Sequence, residues 1–496
     1  MSGLRTVILA SLCSATFAQY IVSNDSSISR ILGPRLTSNA RIILPGDVDF
    51  SSSSERWQEY AKPTFKAIVE VTTESDISET IIYANERSIP FLAVANGHGT
   101  VHSLGGFQHG IGIRLHKMNK IQFTEDGTHV TIGGGASNGD VLQALKAANK
   151  QTSTGVCECT GFVGPALGGG HGLLEGHYGM MVDNIIDALV VLANGSVVTV
   201  SNEVNNELFW ALRGAGHNFG IIPSIRYKVH TPEALDWNYT IFMFSGNKLE
   251  QVYETMNDIV VGRQQNLTKM INYAVWMRNP ELDPVNPVIL FGILYPTSDS
   301  HGPALTASFH DFGPLSVQSG QISYWDLPEL TGNGKNSAIC QRGMVHMKFP
   351  IYLDKYNTTA LRSAYNEFNL ATSQVPAFKD TILLFEAYSL SNVPDTIWTN
   401  TAFPWRNARA LVTPVITYQP DKRLDDTAIQ FGASIRQLLY QGSNSHELRA
   451  YVNYAFGDER PEQLYGNEPW RLTRLHRAKE QYDPNNRFRW YAPIIR

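Results

Sequence analysis

The chain is short of nearly everything that marks a membrane protein or a nucleic-acid binder. No basic run exceeds two residues, and the formal charge over 496 residues is only −5, which leaves no electrostatic footprint for a polyanion. Beyond the N-terminus no stretch reaches the ~18 apolar residues that a bilayer-spanning helix needs. Neither a nucleic-acid nor a membrane partner is therefore expected. Cysteine is scarce, at four residues, so this is not a small secreted module built on a disulfide framework. No internal repeat or low-complexity tract stands out, which sets aside solenoids, propellers and arrays.

What is present begins with a secretory signal. Arg5 supplies the positive flank, Val7 to Ala15 the apolar centre, and Thr16-Phe-Ala18 the small residues before a cut at Gln19. A secreted protein is expected, with N-x-S/T sequons at Asn24, Asn194, Asn238, Asn266 and Asn357 as possible glycan sites. Cys13 leaves with the signal, so Cys157, Cys159 and Cys340 remain. An odd number leaves at least one sulfur without a cysteine partner in the chain. It could be a buried free thiol or could bond to something other than cysteine, and a Cys159–Cys340 disulfide stays open.

The densest signal runs from Gly155 through Gly168-Gly-Gly-His-Gly172 to Asp183-Asn184, with nine glycines between 155 and 184. Glycine at that density is costly in a helix or strand because each loses more backbone freedom on ordering than alanine. A flexible linker would be polar, yet Val156, Phe162, Val163, Leu167, Leu173, Leu174, Met180 and Met181 are threaded through. The expectation is a buried loop whose bare N–H groups lie against a ligand.

Around that stretch the N-terminal half has a βαβ rhythm. Strands are predicted at 66–71, 91–95, 111–115, 119–123 and 129–134, with a helix at 74–87 capped by Thr73 and Asp76 and another opened by Asn138-Gly-Asp. A hairpin at 185–200, a helix at 206–213 and a strand at 221–229 follow. After about 230 glycine thins. Strands are predicted at 239–244, 270–277, 287–294, 381–388 and 410–417, with helices near 247–261, 359–370 and 423–441. A strand at 448–454 and a helix at about 467–481 close the chain.

Four motifs in order carry a family resemblance. They are Asn96-Gly-His-Gly99; Gly155-Val-Cys…Gly161…Gly168-Gly-Gly-His-Gly…Tyr178-Gly…Asp183-Asn184; Leu208-Phe-Trp-Ala-Leu-Arg-Gly…Asn218-Phe-Gly-Ile221; and Tyr451-Val-Asn-Tyr454 with Tyr482-Asp-Pro-Asn-Asn-Arg-Phe488. Together they resemble the berberine-bridge-enzyme-like oxidases, flavoproteins with the p-cresol methylhydroxylase / vanillyl-alcohol oxidase type of FAD domain. The resemblance implies an α+β fold: an FAD-binding domain of two α/β subdomains (60–230), a substrate domain with an antiparallel sheet covered by helices (231–445), and a C-terminal segment (446–496) returning to the first. It implies FAD held covalently, with His98 and Cys157 at the linking positions, although Cys159 two residues on keeps the choice of sulfur open. Asn96, Gly97, Gly99, Gly161, Gly168, Gly169, Gly170, His171, Asp183, Asn184, Asn218, Gly220 and Ile221 fall at cofactor-contacting positions of the motifs. The runs Gly133-Gly-Gly-Ala136 and Gly168-Gly-Gly170 are expected to offer N–H groups to the pyrophosphate. A metal held by His98, His102, His109, His171 and His177 is conceivable, but no CxxC pair accompanies them and no metal site is expected.

The reaction implied is hydride removal from a small organic alcohol or secondary metabolite, by oxidation or oxidative cyclisation, with O2 reduced to H2O2. An oligosaccharide oxidase and a non-redox cyclase or flavin-bound binding protein are the alternatives. The base must lie within ~3 Å of the proton it takes. If 448–454 is a strand, Tyr451 and Asn453 share one face and Val452 and Tyr454 the other, which makes Tyr451 and Asn453 the first catalytic candidates. Glu386 and Tyr388 are further ones.

Overall fold

A computed structural model describes residues 27–258, 269–300, 302–387 and 399–495. The segment predicted as a signal, Asn24, Asn266 and Tyr388 lie outside the described residues.

Three sheets organise the molecule. The first has the strand order Arg41–Ile43, Phe65–Glu70, Gly110–Arg114, Phe91–Val94. Its last three strands are parallel, and the helix Glu74–Glu86 supplies the crossover. Thr73 and Asp76 cap that helix reciprocally. The second sheet is antiparallel, in the order Ile121–Phe123, His129–Gly133, Ile221–Lys228, Ile185–Val191, Val197–Ser201. Ser137, not Asn138, caps the helix Asn138–Ala147, because the Asn138 amide is drawn inward to another task.

The third sheet has eight strands, among them Asp236–Ser245, Ile271–Met277, Val288–Pro296, Ile382–Ala387 and Ala410–Tyr418. Alternation divides its faces. Phe244, Trp276, Phe291, Phe385, Val412 and Met347 form one core with the helices Leu249–Asn257, Thr358–Gln374 and Lys422–Gly442. The opposite face presents Tyr273, Glu386, Thr413, His346 and Lys348, one residue out of phase. The fold is thus α+β, as expected. Among the described residues no helix is long and apolar enough to cross a membrane.

Four strands were not predicted, the first being the three-residue edge strand Arg41–Ile43. Ser316–Ser323 is a polar edge strand with little apolar alternation. Val345–Lys348 and Ile351–Leu353 are too short for a period to register. The predicted strand at 448–454 is overturned: Leu448 to Tyr451 run without a partner strand and Val452–Tyr454 form a single 3-10 turn. Ala450, Val452, Leu464, Leu475, Ala478 and Ile494 of the C-terminal segment pack into the same core as Phe162, Leu208, Trp210 and Ile225.

Candidate active site

Asn96 to Thr100 leave the strand Phe91–Val94 and turn across the sheet end, with Gly97 at φ +73°. Their five N–H groups donate to no acceptor among the described residues. Their carbonyls are held from the other side: Trp57 N–H donates to Gly97 O at 3.1 Å, Arg56 to Gly99 O at 3.2 Å, and Arg342 to Asn96 O at 2.8 Å. A row of bare N–H groups backed by two guanidinium groups is an anion seat. Asn96, at one end of the row, also lines a cavity of about 420 Å³ with Arg114, His116, Gly135, Arg342 and Cys159 among others.

The glycine runs serve a different purpose from the one predicted. Gly133, Gly134 and Gly135 donate to Lys120, Pro223 and Met118 carbonyls. A Cβ on them would meet carbonyl oxygens at 2.0, 2.1 and 1.9 Å. They are bare because two chain segments cross there, and their N–H groups are already taken up by carbonyls. Gly168 and Gly169 donate to Pro165 and Ala166, while Gly170 and His171 donate to the Tyr451 hydroxyl at 3.1 and 3.2 Å.

Side chains of several other predicted cofactor residues are likewise committed to the protein. Asp183 takes a bidentate grip from Arg406, at 2.7 and 2.8 Å. Asn184 donates to Tyr178 and Met180 carbonyls. Asn218 bonds Tyr465, Ala492 and Ile494. Ile221 opens the strand Ile221–Lys228 and Gly220 just precedes it, where a Gly220 Cβ would meet Val190 at 2.5 Å. These residues shape the loops from behind.

The loop carrying Cys157 is pinned by Asn138, a residue the sequence reading took for a helix cap. Buried, it donates to Thr160 Oγ1 at 2.6 Å and to Cys157 and Gly161 carbonyls, and it accepts from Gly155 N–H at 3.0 Å. Cys157 is a free thiol, while Cys159 and Cys340 form a disulfide. Burial pushes the Cys157 thiol up, opposed by the Cys159 N–H and by Lys348.

Facing this loop is an aromatic and cationic wall. Trp57 stacks on His346 at 3.9 Å between centroids and on His98 at 5.3 Å. Lys348 Nζ lies 4.9 Å from the Trp57 ring centre and 4.4 Å from that of Tyr454. It interacts electrostatically with both Cys157 and Glu386, and burial lowers its pKa to about 8. His98 is pulled down to about 3 by burial and then by Arg342, Lys348 and Arg56, and among the described residues its Nε2 has no hydrogen-bond partner. It is therefore a neutral imidazole with an unengaged buried nitrogen.

Tyr451 and Asn453 do meet, since Asn453 Nδ2 donates to the Tyr451 hydroxyl at 2.7 Å. With Gly170 and His171 that makes three donors on one phenol oxygen, and burial pushes its pKa well up. The 3-10 turn, with three residues per turn, also brings Tyr454 round beside Tyr451, ring centres 5.0 Å apart. Tyr454 lies close enough to Glu386 for the carboxylate to help hold its phenol protonated, after burial, the larger cause. His171 sits behind, bonded to Glu175 and to the Tyr352 hydroxyl, each at 2.7 Å. The histidines do not converge: His102 bonds the Phe456 carbonyl and His171 bonds Glu175, and among the described residues the one cluster of metal-ligating type is the three cysteines.

The FAD binding domain family matches residues 65–201 and the berberine and berberine-like family residues 450–495. With the anion seat at Asn96–Thr100, this defines an FAD-dependent oxidoreductase. FAD-linked oxidoreductase chry5 of Gibberella zeae is 37% identical, over 98% of each chain. The chain belongs to the berberine-bridge-enzyme-like FAD-linked oxidoreductases. Its fold is shared by Physcomitrella patens BBE-like 1 (TM-score 0.80, 20% identity, 95% of this chain and 99% of that one). The same holds for a xylooligosaccharide oxidase from Myceliophthora thermophila solved with xylobiose (TM-score 0.79, 20% identity, 94% and 98%).

Proposed function

We propose that the protein is a secreted oxidase that takes a hydride from a carbon bearing a hydroxyl on a small organic or secondary-metabolite alcohol. FAD, when bound, accepts that hydride and returns the electrons to O2 as H2O2. The residues fit the group: the N–H row of Asn96–Thr100 suits its diphosphate, and the unengaged His98 Nε2 and the Cys157 thiol suit two covalent links.

The observation that carries the catalytic reading is the buried grouping of Tyr454, Glu386 and Lys348, whose ammonium lies 4.4 Å from the Tyr454 ring centre and interacts electrostatically with Glu386. The substrate hydroxyl gives its proton to Tyr454 Oη as the phenol proton passes to the Glu386 carboxylate. Lys348 holds negative charge on that pair. Tyr451, whose oxygen already accepts from three donors, is an anchor in this reading and not the base. Tyr273, directly across from Glu386 in the neighbouring strand, supplies an aromatic surface beside the reacting carbon.

The test is acid denaturation of the secreted protein followed by mass measurement, together with H2O2 release on a panel of aromatic alcohols and xylobiose. Flavin staying on the polypeptide and turnover of the alcohols support the proposal. Turnover of xylobiose alone would favour a carbohydrate oxidase, and flavin without H2O2 from any substrate a non-redox role.

Lys348 gives a pH prediction. Its charge is present below about pH 8 and lost above it, so kcat is expected to fall through an alkaline limb near that value. In Lys348→Arg, whose guanidinium keeps its proton, the limb should move at least one pH unit upward. An unmoved limb in the pH–rate profile would remove Lys348 from this role. As for glycans, Asn194 is exposed at a hairpin turn, whereas the Asn357 amide is bonded to the Gly442 carbonyl.

A further inference from the structure

Three sulfurs meet where the Cys157 loop touches the third-sheet side of the molecule. Cys157 Sγ lies 3.4 Å from Cys159 Sγ and 3.8 Å from Cys340 Sγ. Cys159 and Cys340 are bonded to each other across 181 residues of sequence. The disulfide is not what brings the two segments together. Glu158 N–H donates to Asn333 O at 3.0 Å and its carboxylate accepts from Lys335 N–H at 2.8 Å. Trp57 holds the Ile339 carbonyl at 2.7 Å, and Asn138 fixes the other segment independently. If one disulfide partner is removed, the other sulfur therefore stays within about 4 Å of Cys157.

Sulfurs so close, held by a rigid frame, react as an intramolecular pair at high effective concentration. We propose that Cys159 and Cys340 are guard residues whose mutual bond keeps Cys157 the sole thiol of the cluster, and that either guard, left alone, captures Cys157 as a disulfide. The capture is a two-electron oxidation: both thiols lose a proton and form an S–S bond, while a disulfide oxidant such as oxidised glutathione is reduced to two thiols. In the native chain Cys157 could attack the guard bond only as a thiolate. Burial, which holds the thiol protonated, slows that exchange.

The inference rests on the reading of Cys157 as a cofactor-linking residue, but its test does not. Cys340→Ser, Cys159→Ser and the double variant are produced through the secretory pathway, quenched in acid and treated with an alkylating reagent under denaturing conditions. The peptides are then analysed by mass. In each single variant Cys157 is expected in a disulfide, with Cys159 or Cys340 respectively, carrying neither flavin nor alkyl group. In the double variant, as in the native protein, Cys157 is expected to be flavin-linked or alkylated. The comparison separates guarding from stapling, because the double variant lacks the same crosslink as each single one. Single variants in which Cys157 remains flavin-linked or alkylatable would overturn the proposal, as would a double variant no better than the singles. Alkylated Cys157 in the native protein would count against the tether, not against the guards.

Discussion

Tyr454→Phe is expected to slow substrate-dependent flavin reduction by roughly 10²- to 10⁴-fold, the usual range for loss of a positioned proton acceptor. Only the hydroxyl is removed. The ring still packs against Tyr451 and beneath Lys348, so fold and flavin content should match the native protein. Glu386→Gln is expected to fall in the same range, because the amide cannot take the phenol proton. The pair should be non-additive, since one broken relay cannot be broken again. Tyr451→Phe provides the contrast: it leaves Gly170, His171 and Asn453 without their common acceptor, so it should lower thermal stability at least as clearly as rate. Stopped-flow reduction of the three variants decides between the tyrosines. A native-like rate in Tyr454→Phe would refute the relay.

The second large effect concerns stability. Arg406 and Asp183 are nearly inaccessible, at 2% and 5% side-chain exposure, and form a bidentate pair. Removing one member leaves a buried charge without its partner, which typically costs about 3–5 kcal/mol. Arg406→Met is therefore expected to destabilise the protein by about that much. Adding Asp183→Leu should recover much of the loss, because the uncompensated carboxylate is then gone. Denaturant unfolding of the single and double variants measures both quantities. A double variant less stable than Arg406→Met would show that the cost comes from lost packing and not from the stranded charge.

How far the site could be read from sequence varied by residue. His98 and Cys157 stand in runs whose neighbours are so constrained that the motif declares the position. Lys348, His346 and Tyr352 were invisible because strands of three or four residues are too short to show a period. Tyr454 was assigned to the wrong side because an apolar-aromatic run such as Tyr451-Val-Asn-Tyr454 suits a strand as well as a 3-10 turn, and the two differ in which residues share a face. The run Gly133-Gly-Gly135 was misassigned for another reason. A glycine can be selected to expose its N–H or to leave room where a Cβ would stand. Sequence records only the missing side chain, and the carbonyls of Leu115, Met118 and Ile222 decide between the two. The order of the third sheet was not legible, because consecutive pairs such as Ile271–Met277 with Val288–Pro296 alternate with distant ones such as Ile271–Met277 with Ile382–Ala387.

The C-terminal segment bears on how the protein is made. Lys479 reaches back across 261 positions to the Asn218 carbonyl, and Ile494 N–H closes on the Asn218 side chain. The core around Phe162, Trp210 and Ile225 also contains Leu475, Ala478 and Ile494. The ribosome delivers the N-terminal portion of that core first and the piece that seals it last. During synthesis the early half must therefore wait, with apolar surface open, until residues 475–494 have left the exit tunnel. A chain cut before Leu475 lacks part of the core that also holds Phe162 and Ile225, so that core cannot close until the segment 475–494 is available.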